Sequence, residues 1–266
     1  MSADEAFVTV TAFLVGPILW ALWLYQMSHL RVIRRRNVGT GTIALALLAC
    51  AILIFVVLRT SASHDVVDAP AYLFMYVVLG LAWSRVTSLT FGYAGLNARD
   101  DVVERANKAA VPALAGALVG VTLCYAGGNV GDGPGWWVVL FSAGLATATL
   151  LVAWLVLAHL TPVADAVAID RDPAAGVRLG AFLVACGIVL GRAVAGDWYS
   201  AVDTVGDFVP WLPTVVTILI VAVVVERLAR PTPERPRAPV LFFGVLPALL
   251  YLIIAVAAVS NTGWPE

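Results

Sequence analysis

One arginine lies where lipid is expected. Arg85 sits in the run GLAWSRVTSLTFGY, close to Trp83, Ser84, Thr87, Ser88, Thr90 and Tyr93, within an apolar stretch from 70 to 94. A charge at membrane depth costs at least about 2.5–3.5 kcal/mol on insertion scales, so it faces a cavity or a partner. The apolar runs place no Asp or Glu at the same depth. Water, carbonyls, hydroxyls or a bound anion must then answer the guanidinium. Two readings stay open. In one, Arg85, Thr87, Ser88 and Tyr93 are ligand or pore residues along a water-filled path; in the other, Arg85 ties helices together through Ser, Thr and backbone oxygens.

Other charged residues are answered more simply. Arg192 lies about one turn inside the end of its run, within snorkelling reach of Asp197. Glu226 is spaced to pair with Arg230 at i+4 or with a neighbouring loop. Asp100, Asp101, Glu104 and Arg105 have the spacing of a solvated helix face. The same four could form a docking surface, or a carboxylate mouth that concentrates cations such as polyamines. His29, His64 and His159 fall at separate places, and Cys50, Cys124 and Cys186 all lie inside apolar runs. These spacings point to no metal site and no disulfide framework. No Ser/His/Asp arrangement, nucleophile elbow or acidic pair at depth is visible, so neither an enzyme nor a cofactor is expected.

The elements that hold these residues follow from composition. The chain of 266 residues is 61% hydrophobic and 12% charged, with a mean hydropathy of +0.94. A soluble domain carries roughly 25% charged residues; this chain could not cover itself with polar surface, and its solvent is the lipid bilayer. Net charge is −1, which supplies no basic field for a nucleic acid. About 20 mostly apolar residues span the hydrocarbon as a helix. Eight runs qualify: 6–28, 41–59, 70–94, 107–127, 135–159, 173–196, 208–228 and 239–260. The expected fold is all-α, one transmembrane bundle over residues 1–266. The N-terminal MSADEAF carries Asp4 and Glu5 and no positive residue, so the first run reads as a retained span rather than a secretory signal.

Thirteen of the 16 Lys and Arg fall on alternate loops: Arg31 and Arg34 to Arg36, then Arg99, Arg105 and Lys108, then Arg171 and Arg178, then Arg227, Arg230, Arg235 and Arg237. The opposite loops carry Asp65, Asp68, Asp132, Asp197, Asp203 and Asp207, with Arg59 at their edge. The positive loops are expected in the cytoplasm of a bacterial cell, with both termini outside the plasma membrane. Trp136, Trp137, Trp198 and Trp211 would mark the outer interface. The Gly-rich stretch 127–135 is a turn by composition, since no strand precedes it and no Lys follows to make it a phosphate cradle.

A repeat underlies the hairpins. Asn107-Lys108-Ala109-Ala110 returns as Asp172-Pro173-Ala174-Ala175, 65 residues later. Asn and Asp cap helix N-termini, and Pro173 takes the first helical position. Asn37 and Arg237 extend the series at intervals of 70 and 65. Hairpins that always enter from one side are parallel repeats about an axis along the membrane normal. Residues 70–200 would form a two-hairpin core, with 1–69 and 201–266 as flanking degenerate hairpins. Four hairpins could ring the axis, or the outer two could sheathe the central pair. Gly116-x-x-x-Gly120 and Gly187-x-x-x-Gly191 mark close helix contacts.

At these corners the sequence resembles the YjfL-like family of bacterial inner-membrane proteins of unknown function. The matching residues are Asn107, Ala109 and Ala110 with Gly116 and Gly120, and Leu160-Thr161-Pro162 followed by Asp172-Pro173-Ala174-Ala175-Gly176. The likeness covers roughly residues 70–200, and Asp172 stands where the family has Asn. It implies a membrane location and links to envelope-stress or polyamine genes; it carries over no activity and no catalytic residue. The expected function is a channel or transporter for a small polar solute or ion, and a homo-oligomer is expected. The alternative is a non-transporting subunit whose Arg-rich loops bind a cytoplasmic protein partner or anionic lipid. An embedded enzyme acting on lipid or polyamine is a third reading.

Overall fold

The structure, a computed structural model, describes residues 1–29, 38–229 and 239–262. These residues form helices and turns, with one isolated β-bridge between Ala62 and Gly131. Eight helices are long and apolar enough to cross a membrane: Ala3–His29, Gly39–Ser61, Pro70–Ser88, Ala110–Gly127, Trp136–Leu160, Pro173–Ala193, Ala201–Leu228 and Leu241–Thr262. The chain is therefore a multi-pass helical bundle. Arg31, Arg34, Arg35, Arg36 and Asn37 lie outside the described residues, as do Arg230, Arg235 and Arg237.

The even-numbered spans stand in a row, second beside fourth, fourth beside sixth, sixth beside eighth. The odd-numbered spans pack along this row, first on third and fifth against fourth, sixth and seventh. The fourth and sixth spans lie at the centre of this packing. The burial gradient agrees, with 78% of the sixth span's window buried against 17% of the first. Apolar residues on the outer spans, Phe7, Leu45 and Ile253 among them, stay exposed, as lipid-facing positions should.

The fourth and sixth spans touch backbone to backbone. A Cβ on Gly116 would strike Gly180, one on Gly127 would strike Gly191, and one on Gly176 would strike the Ala109 carbonyl. At Gly187 it would come within 2.7 Å of the Gly120 Cα. The contacts climb both helices in the same direction, so the pair is parallel. Small residues allow this approach, and van der Waals contact rather than hydrophobic exclusion holds helices together in lipid.

Both corners that feed this pair are built alike. Asn107 Oδ1 accepts from Ala109 N–H at 2.9 Å, and Asp172 Oδ1 from Ala174 N–H at 3.0 Å. Upstream, Asn107 N–H donates to Asp101 O and Asp172 N–H to Ala166 O, each at 2.9 Å. Arg105 N–H donates to Asp100 O, and Asp170 N–H to Asp165 O. Ala106 and Arg171, at φ 48° and 55°, turn each chain through the left-handed region, which costs a non-glycine residue about 1–2 kcal/mol. At the other end Gly131 and Gly196 turn through positive φ, and Gly196 N–H donates to Val130 O at 3.0 Å. The two corners, and Gly131 with Gly196, repeat at an interval of 65 residues.

Two ends can now be distinguished. One holds the corners at Asn107 and Asp172. The other gathers the N-terminus with Asp65, Asp132, Asp197 and Asp203, and is acid-rich.

Candidate functional site

The third span starts at Pro70, whose missing N–H costs nothing in a first turn. Along it, Tyr72, Tyr76, Gly80, Ser84 and Ser88 recur every four residues, a row that winds slowly around the helix. The row begins in a cavity of about 300 Å³ at the acid-rich end, lined by Glu5, Asp65, Tyr72, Tyr76, Asn129 and Asp132 among others. Tyr72 donates to Glu5 Oε2 at 3.1 Å. Asn129 is 6% exposed. Its Nδ2 donates to Tyr125 O at 2.8 Å, which fixes the amide, while its buried Oδ1 meets no protein donor.

Tyr125 stands as a plug behind the wall residues Tyr76 and Asn129. Its hydroxyl donates to Tyr76 O at 2.7 Å. Its ring and Ile54 Cδ1 lie 2.6 Å from where a Gly80 Cβ would stand, so only glycine lets them cross the helix there. Below this plug polar groups resume. Trp20 Nε1 donates to Ser84 Oγ at 3.4 Å, and Trp83 Nε1 to Thr147 Oγ1 at 3.0 Å.

Arg85 follows. Its Nη1 donates to Ser88 Oγ at 3.4 Å, and its guanidinium lies 5.2 Å from the Trp20 ring centroid, a cation–π geometry. Its Nε is buried without a hydrogen-bond partner. The three ion pairs among the described residues do not include it. The helix ends at Ser88 rather than at 94, and a tight turn at Phe91–Ala94 follows. Arg85 therefore occupies the last turn of its own helix. The neighbouring helices run on: Trp20 precedes His29 by nine residues, about 14 Å of helix. The guanidinium stays well inside the bundle's length.

Of the four sequence candidates, Arg85 and Ser88 touch. Thr87 lies on the buried face, its carbonyl accepting from Thr90 Oγ1 at 2.7 Å. Tyr93 is 86% exposed on the following turn. The caps Asn107 and Asp172 and the glycines at 116, 120, 187 and 191 sit in the central interface described above.

The structure also joins charges that the sequence reading left apart. Glu226 pairs with Arg178: Nε meets Oε1 and Nη2 meets Oε2, both at 2.7 Å, and both side chains are buried. Arg178 lies inside the sixth span, where the sequence reading had set it at a loop edge. Its Nη1 donates to Phe243 O. In an α-helix that carbonyl would take the N–H of residue 247, but residue 247 is Pro. A buried arginine thus ties the sixth, seventh and eighth spans, beside a cavity of about 330 Å³ that Asp165 and Asp170 also line. Arg192 lies 5.4 Å from the Trp211 ring centroid, and Asp197 Oδ1 accepts from Asp132 N–H at 2.8 Å. Asp101, read as part of a solvated face, is buried, and its Oδ2 accepts from Asn97 N–H at 2.8 Å.

No family model matches this chain, and neither does any curated protein or solved structure.

Proposed function

We propose that this multi-pass membrane protein passes a small polar solute along the third span, between the acid-rich cavity and Arg85. One observation carries the reading: polar side chains recur along the third span from Tyr72 and Tyr76 at the cavity, past the Tyr125 plug, to Ser84, Ser88 and Arg85. Such groups are expensive in lipid and mark solute paths. The fourth and sixth spans meet through backbone atoms, so the path runs beside the third span rather than between the central pair. Tyr125 is then the group that must move, and a carrier that opens in turn fits better than an open channel.

In this reading the acid-rich end faces outward and the corners face the cytoplasm of the plasma membrane, which the Lys and Arg on alternate loops support. The two central hairpins are copies of one unit, supported by corner bonds that recur 65 residues apart.

Osmotic re-swelling of proteoliposomes in urea, glycerol, glycine or alanine tests the passage. Wild-type vesicles should re-swell faster than empty ones in at least one solute. Arg85→Leu should slow that step about tenfold or more, the weight of a hydrogen bond to a charged group. Equal rates for wild-type and empty vesicles across all four solutes would refute passage.

A further inference from the structure

We infer that the acid-rich cavity binds a primary ammonium group. Its walls are rich in acceptors. Glu5, Asp65 and Asp132 line it, and none of these carboxylates belongs to an ion pair among the described residues. The independent observation is Asn129, a residue only 6% exposed. Its Nδ2 is committed to Tyr125 O, and its Oδ1 is left wanting a donor on a residue that lines the cavity. Leaving a buried acceptor unsatisfied costs about 1–3 kcal/mol, and a ligand N–H removes that cost.

The ligand class follows from what the walls lack. No three His, Cys, Asp or Glu side chains among the described residues are grouped to hold a metal ion, and a space of about 300 Å³ exceeds a bare cation. An ammonium of the form R–NH3+ is three donors and no acceptor, the complement of this lining. A quaternary ammonium has the charge but no N–H for Asn129. The Tyr76 and Trp198 rings, also on the wall, suit the short carbon chain. The ammonium could belong to a free amine or to a phosphatidylethanolamine headgroup, which share this chemistry. Arg85 repels a bare cation farther in, so an ammonium solute that also passes it carries an anionic group besides.

The inference stands on the cavity and does not need passage to occur. Its test is binding, measured as thermal stabilisation of the full chain in phosphatidylcholine nanodiscs. Ethylammonium chloride should raise the melting temperature in a saturable way, and tetramethylammonium chloride at equal ionic strength should not. Asp65→Asn and Asp132→Asn are surface changes that leave the fold alone. Each should weaken the ethylammonium midpoint about tenfold. If discs containing phosphatidylethanolamine abolish the ethylammonium response, the headgroup is the natural occupant; if the response persists there, a free amine is. No response in either disc, or equal responses to the two ammonium salts, overturns the inference. Binding without re-swelling would refute passage alone, while re-swelling without ammonium selectivity would refute this inference alone.

Discussion

Arg178 and Glu226 show what a buried charge demands. Each lies almost out of solvent, and removing one partner leaves the other uncompensated. Glu226→Gln should destabilise the protein by about 3–5 kcal/mol, whereas the double change Arg178→Met with Glu226→Leu should cost far less. Thermal unfolding in detergent reads both. Losses that simply add would mean the two groups do not act as a pair. Arg85 could be found from sequence because a single charge stands out in a long apolar run. The Arg178–Glu226 pair was missed because its partners are 48 residues apart and Glu226 had a nearer cation at i+4. The signal was there in Pro247, which strips a helical donor from the Phe243 carbonyl. Asn129 was hidden for a different reason: its orphaned oxygen exists only once Tyr125 has taken the other end of the amide.

Among elements, the glycines of the central pair were legible because small residues at four-residue spacing have one use in lipid. The structure makes that use specific. Gly127→Ala would drive a methyl into Gly191 and should cost about 1–3 kcal/mol, the range for overpacking. Gly206→Ala meets nothing within 4 Å and should be neutral or stabilise by up to about 1 kcal/mol. A similar melting temperature for the two variants would contradict the packing. The caps should differ as well. Asp172→Ala should cost about 1 kcal/mol, and Asn107→Ala more, because Asn107 Nδ2 also donates to Val167 O at 2.7 Å. The third span's end was misplaced because Phe91 to Ala94 is apolar enough to prolong the hydrophobic run. Backbone chemistry decided otherwise. Thr90 turns back onto Thr87 O, and Gly95 at φ 81° takes the chain away.

For the whole molecule, eight spans and their common corners could be read from hydropathy and capping, because both are local in the chain. Whether hairpins ring an axis or stand in a row could not, since neighbour choice depends on contacts across the bundle. The proposed outward placement of the acid-rich end predicts that an impermeant thiol reagent labels Asp68→Cys and Asp203→Cys in intact cells and spares Arg99→Cys. The reverse pattern would invert the account. The most direct measurement is the rate at which a charged, water-soluble thiol reagent modifies single cysteines down the third span, in a chain whose three native cysteines are replaced. The account predicts reaction at Tyr76→Cys, Ser84→Cys and Ser88→Cys, slower below the Tyr125 plug, and none at Phe74→Cys on the exposed apolar side. Modification that stops at Tyr76, with Ser84 and Ser88 as silent as Phe74, would contradict a solute path along this helix.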